Sequence, residues 1–121
     1  MERSFEAKHY LVGGDWGEEN KVHGHHYKVE VTIRGENLDE QGYLVDLIDL
    51  EAALGGAIAR FEGSLLNDLM EFDCLNPSIE NFSRIIFRNL KLSFNTSGML
   101  SMRVKLWEGA TAWSAYEEDW P

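Results

Sequence analysis

Cysteine is nearly absent from the sequence: Cys74 stands alone among 121 residues. That excludes an intramolecular disulfide and fits a reducing compartment, with the thiol read as a small, semi-buried apolar side chain. Proline is almost as scarce. Pro77 reads as a helix start and Pro121 as the chain end, and without a linker, repeat or low-complexity tract residues 1–121 read as one domain. Long hydrophobic runs are missing as well. No stretch approaches the ~20 apolar residues that cross a bilayer, and M-E-R-S-F-E lacks the apolar core of a signal peptide, so a soluble, cytoplasmic protein is expected. Positive charge is the last shortage, with 11 Lys and Arg against 21 Asp and Glu and a net charge of −10. Such a field repels a nucleic-acid backbone or an anionic membrane, so neither is an expected partner. Part of the acidity, Glu117, Glu118 and Asp119, reads as a solvated tail.

What remains is 44% hydrophobic and 12% aromatic, enough for a single core. Phe5, Ala7, His9 and Leu11 alternate with polar neighbours, as do Tyr27, Val29, Val31 and Ile33, the period-2 mark of strands with one buried face. Leu47, Leu50, Leu54, Ile58, Phe61 and Leu65 recur at helical spacing behind Asp46, a plausible N-cap, with Gly55 and Gly56 as a local weakness. A second helix follows N-P-S, its stripe formed by Ile79, Phe82, Ile86 and Leu90 and its cap by Ser78 or Asn76. Met102, Val104, Leu106 and Glu108 alternate again, and A-W-S-A-Y-E supplies a last strand. The order ββααββ predicts an α+β fold, an antiparallel four-stranded sheet with two helices on one face. Open sheet edges invite pairing with further copies, and closure into a barrel removes them, which makes a ring-shaped homo-oligomer physically reasonable.

Three of the four histidines fall in V-H-G-H-H-Y. His23 and His25 share parity with Tyr27 and Val29, so a strand starting near residue 23 aims both at the apolar face and sends His26 the other way with Lys28. Two imidazoles at i and i+2 can converge on one cation, with Gly24 leaving room between them. His9, on the parity of Phe5 and Ala7, is the candidate third ligand of an open three-His site of the catalytic zinc type. Taken alone, the histidines read equally as ordinary hydrogen-bonded side chains.

The wider pattern decides between the two. F-x-x-x-H-x-L near the N-terminus is followed by H-G-H-x-Y, G-Y-L-V-D, L-N-D, N-P-S-x-E-N and L-W-E-G. From Phe5 to Glu108 this succession resembles the 6-pyruvoyl-tetrahydropterin synthase and 6-carboxytetrahydropterin synthase family. The resemblance implies the tunnelling fold (T-fold), ββααββ subunits assembled into trimeric barrels and commonly hexamers, and small-molecule pterin sites between subunits. It implies zinc on His9, His23 and His25, a pterin ring held by Glu108, and Ser78 and Glu80 as further substrate-binding residues. A carboxylate suits the ring because a pterin offers an N–H and an amino group side by side. The implied activity is that of a zinc-dependent lyase on 7,8-dihydroneopterin triphosphate or 7,8-dihydroneopterin.

The sequence departs from the family in its proton-transfer groups. The usual cysteine, four residues before the first histidine of H-G-H, is Glu19, with Glu18 beside it. The usual Asp-His pair ahead of L-N-D is Glu62 and Gly63. A related subgroup uses glutamate in place of the cysteine and cleaves the side chain to 6-hydroxymethyl-dihydropterin. The expected catalytic groups are therefore Glu19 before Glu18, with Glu62 as what remains of the relay. Glu19 would need burial near Trp16 or another apolar wall to become an effective base. The rival reading is a pterin-binding protein that keeps the zinc and the ring pocket without the chemistry. A bare structural metal domain is disfavoured, since three neutral imidazoles leave a position open.

Overall fold

The computed structural model describes residues 1–120, so Pro121 lies outside it. Four strands, β1 (Glu2–His9), β2 (His23–Arg34), β3 (Ser101–Glu108) and β4 (Ala112–Asp119), flank two helices, α1 (Leu47–Phe61) and α2 (Ile79–Ser93). The sheet is antiparallel throughout, in the order β1-β2-β3-β4. Alternation does what it predicts: Phe5, Ala7 and His9, Tyr27, Val29 and Val31, and Met102, Val104 and Leu106 are all buried toward the helices. Phe82 of α2 is the hub beneath them, with rings of Phe5, Tyr27, Phe61 and Phe72 edge-on around it at 5.9, 5.2, 5.0 and 5.6 Å between centroids.

Both helices start where their capping side chains are. Asp46 accepts from the Ile48 and Asp49 amides, and Ser78 from the Asn81 amide. The chain leaves α1 through Gly63, whose φ of +72° suits glycine. It then runs beside β1: the Gly63 amide donates to Glu6 O and the Lys8 amide to Ser64 O, at 2.8 and 2.9 Å. Half of one sheet edge is thus occupied from within the chain. The helix-free face is polar, and the Lys28 and Lys105 ammonium groups lie 4.1 and 4.4 Å from the Trp107 ring.

Several expectations are corrected. The first strand ends at His9, and Leu11 falls beyond it. Leu47 is largely exposed and Leu65 lies past the end of α1. The acidic run is no loose tail: Glu117, Glu118 and Asp119 complete β4, where Glu118 accepts from Tyr116 Oη (2.7 Å) and Lys91 Nζ (3.1 Å). Cys74 is exposed rather than semi-buried, at a φ of +57°.

Gly55 and Gly56 do not interrupt α1, and a Cβ at either meets nothing within 4 Å. Glycine therefore costs the helix propensity without relieving any clash. Gly56→Ala is expected to stabilise the chain by about 0.5–1 kcal/mol, read as a rise in the urea midpoint at unchanged slope.

Candidate metal centre

The pairing of β1 with β2 places His9 opposite His23 and Ala7 opposite His25. Three imidazoles on one sheet face therefore come from two adjacent strands. Their ring centroids are 4.6, 4.7 and 4.7 Å apart and the planes are mutually steep, 75° to 84°. His26 points to the opposite face, where its Nδ1 lies 3.0 Å from a Glu6 carboxylate oxygen.

Backbone carbonyls fix two of the tautomers. His9 Nδ1 donates to Pro77 O at 3.0 Å, and His23 Nδ1 donates to Lys21 O at 2.7 Å. A carbonyl can only accept, so the hydrogen of each neutral ring sits on Nδ1 and the lone pair on Nε2. Those two Nε2 atoms face each other at 3.0 Å. Two lone pairs at that distance repel unless a cation lies against both. Tetrahedral nitrogens ~2.0–2.1 Å from one ion stand about 3.3 Å apart, close to what is found. His25 Nε2 is buried without a hydrogen-bond partner, with Glu108 Oε1 3.0 Å away. These atoms fit a metal ion.

Glu19 adds a carboxylate that the sequence reading had reserved for another role. One ligand atom each from His9, Glu19, His23 and His25 lie within 4.8 Å of one another, and Glu19 Oε2 is 2.9 Å from His23 Nε2. Its neighbour Glu18 turns away to solvent, 3.3 Å from Lys21 Nζ. Trp16 provides no enclosing wall: its ring lies over Gly14, and the Glu19 side chain remains half-exposed. Glu62 sits exposed at the C-cap of α1, outside the cluster.

Glu108 faces Tyr27 across the β2–β3 ladder, which brings its carboxylate beside His25. Burial, reinforced by the charge of Glu19, raises its pKa, because the ionised form has lost water and faces a like charge. Ser78 is committed as the α2 cap, and the exposed Glu80 one turn on is near enough for its charge to raise Glu108 further. Sequence reasoning missed the supports. Tyr27 Oη lies 3.3 Å from His9 Nδ1, and Asn67 grips the residue after His9 twice, accepting from Tyr10 N and donating to Tyr10 O at 2.9 Å each. Asn67 was visible within L-N-D, but nothing in that motif says which backbone it holds.

Burial first, then the neighbouring His25 and His23, lower the His9 pKa to about 4. A histidine whose folded pKa lies below its unfolded value binds protons preferentially when unfolded. Stability of the metal-free protein is therefore expected to be level above about pH 6.5 and to fall as pH drops from there toward 4. Urea midpoints across that range measure the slope, and a folded His9→Gln variant should show a smaller one, the remainder coming from His25, whose pKa is also lowered.

Comparison with known proteins identifies the family. The family model described as 6-pyruvoyl tetrahydropterin synthase matches residues 1–119. A protein of Archaeoglobus fulgidus provisionally named 6-carboxy-5,6,7,8-tetrahydropterin synthase is 34% identical over 111 residues, 92% of this chain and 87% of that one. The structure of Caenorhabditis elegans 6-pyruvoyl tetrahydropterin synthase superposes with a TM-score of 0.82 at 26% identity, covering 98% of this chain and 94% of that one. A variant of Plasmodium vivax 6-pyruvoyltetrahydropterin synthase, in which a catalytic glutamate is replaced by cysteine, matches at a TM-score of 0.81 and 16% identity, over 96% of this chain and 91% of that one; this likeness shows the fold alone. With a T-fold subunit and a family match over nearly its whole length, the chain belongs to the 6-pyruvoyl tetrahydropterin synthase family of pterin-processing enzymes.

Proposed function

We propose that this family member is a cytoplasmic, zinc-dependent lyase acting on 7,8-dihydroneopterin triphosphate or on 7,8-dihydroneopterin, assembled as a trimer or hexamer with its sites at subunit interfaces. The observation that carries the reading is the convergence of one ring nitrogen from each of three imidazoles with the Glu19 carboxylate, beside Glu108. His9, His23 and His25 would hold the metal, two of them preset by carbonyls that keep Nε2 free. A bound zinc ion supplies Lewis-acid polarisation of the substrate's side-chain oxygens. Glu108 accepts the ring N–H and amino group as a bidentate pair, which orients the side chain toward the histidines. Glu80 and Ser78, at the start of α2, would add further contacts to the substrate. Glu19 takes the proton from the side-chain carbon as general base, in the position the family usually gives to cysteine. In the Plasmodium vivax 6-pyruvoyltetrahydropterin synthase, too, a glutamate is a catalytic residue. Glu18 and Glu62 are secondary: one pairs with Lys21 and the other stands apart from the cluster.

One observation favours a second reading. Glu19 lies close enough to the imidazoles to serve as a fourth ligand, and a closed His₃Glu sphere suits a pterin-binding protein without turnover. Product analysis separates the two. Zinc-loaded protein is incubated with dihydroneopterin and with its triphosphate, and the products are identified by chromatography and mass. Turnover of either substrate is expected, falling ~10²- to 10⁴-fold in Glu19→Ala with pterin affinity nearly intact and less in Glu62→Ala. Glu108→Ala is expected to abolish pterin binding at unchanged zinc content. Pterin binding without any product from either substrate would leave the binding-protein reading standing.

A further inference from the structure

Residues 10–22, between β1 and β2, carry Glu19, yet their only helical element is the short 3-10 turn Gly17–Asn20. Two glycines in the left-handed region, Gly13 at φ +87° and Gly17 at +64°, let the chain turn back on itself. Such a segment gains nothing from periodic packing. Its shape is held instead by side-chain bonds to backbone, and Asn20 makes three of them.

Asn20 uses both ends of its amide. Oδ1 accepts from the Trp16 amide at 2.7 Å, and Nδ2 donates to Leu11 O and to Gly14 O, at 3.0 Å each. Three bonds from one residue thus join the start, middle and end of the loop. The Leu11 amide returns the tie by donating to Glu19 O at 2.8 Å. Leu11 is itself anchored: Asn67 clamps Tyr10 on one side, and on the other Asn76 Oδ1 accepts from the Val12 amide at 2.9 Å. The chain from Asn20 through Leu11 therefore connects Glu19 to the segment that leaves His9, while Lys21 O holds the His23 ring two residues further on.

We infer that Asn20 is a positioning residue for the Glu19 carboxylate, fixing the backbone from which that carboxylate reaches the three imidazoles. The inference rests on the reading of Glu19 as the general base. Asparagine is required because the site asks for one acceptor and two donor contacts from a single short side chain. Aspartate has the same shape but turns the donor into an acceptor facing two carbonyl oxygens. Alanine removes all three bonds. In either case Glu19 keeps the Leu11 bond and the local turn bonds, of its own amide to Trp16 O and of the Gly17 amide to Asp15. The ties from the turn to Leu11 O and Gly14 O are lost, and a displacement of about 1 Å at a reacting group costs on the order of 10²-fold in rate.

A double-mutant cycle tests the assignment. Asn20→Ala and Asn20→Asp are each made in the parent and in Glu19→Ala, with folding checked by zinc content and oligomer size. In the parent each is expected to lower kcat ~10- to 10²-fold at little-changed KM. In Glu19→Ala neither should cost anything more, because the group they position is gone. Amide exchange at Leu11 should accelerate in both Asn20 variants while that at Val29, deep in β2, does not. The inference is overturned if kcat and Leu11 exchange are unchanged, or if the Asn20 substitutions cost as much in Glu19→Ala as in the parent. Full turnover of Glu19→Ala by itself would remove the base assignment and Asn20's catalytic role with it. That failure is distinguishable, since the Asn20 variants play no part in it.

Discussion

The register of β1 against β2 is the constraint on which the rest depends. Phe5 stands opposite Tyr27, Ala7 opposite His25 and His9 opposite His23, so the same alternation that buries the aromatic pair gathers the imidazoles. A slip of one residue would send His23 and His25 to the opposite face while exposing Tyr27, Val29 and Val31. The stacked Phe5 and Tyr27 rings, 5.3 Å apart, are packed against the Phe82 hub, and the site inherits its precision from that core. Continuing the ladder to β3 sets Glu108 across from Tyr27, which completes the face.

Burying three imidazoles together is unfavourable without a ligand. Desolvation lowers the pKa of both His9 and His25, and neighbouring imidazoles lower it further, which favours the neutral, lone-pair-bearing form of these two rings. Neutral imidazole is the form a metal binds, so the environment that penalises protonation favours coordination. Helix α2 contributes through its first residues rather than through its body. Pro77 O, immediately ahead of the Ser78 cap, orients His9, so the packing of α2 on the sheet and the geometry of the site are coupled at one hydrogen bond.

The strand parities of Phe5, Tyr27 and Val29, both helix caps and the convergence of His9 with His23 and His25 were legible because each follows from periodicity or from local capping chemistry. Other features were hidden for physical reasons. Glu117 to Asp119 look like a solvated tail until Lys91, 27 residues away along the chain, supplies a partner for Glu118. Leu47 satisfies the helical spacing yet is largely exposed in the first turn of α1. The loop carrying Glu19 has no period to read: it is built from side-chain bonds to backbone, in which Asn20, Asn67 and Asn76 find partners that spacing cannot reveal. Glu62, expected as what remains of a proton relay, lies outside the cluster.

Metal stoichiometry measures the central claim most directly. The account predicts about one zinc ion per chain by elemental analysis of protein purified from zinc-supplemented medium, bound through the three imidazoles that the β1–β2 register brings together. A His23→Ala, His25→Ala double variant that stays folded should retain almost none. Full zinc content in that variant would contradict the account, since the ion would then be held by groups other than those the register assembles.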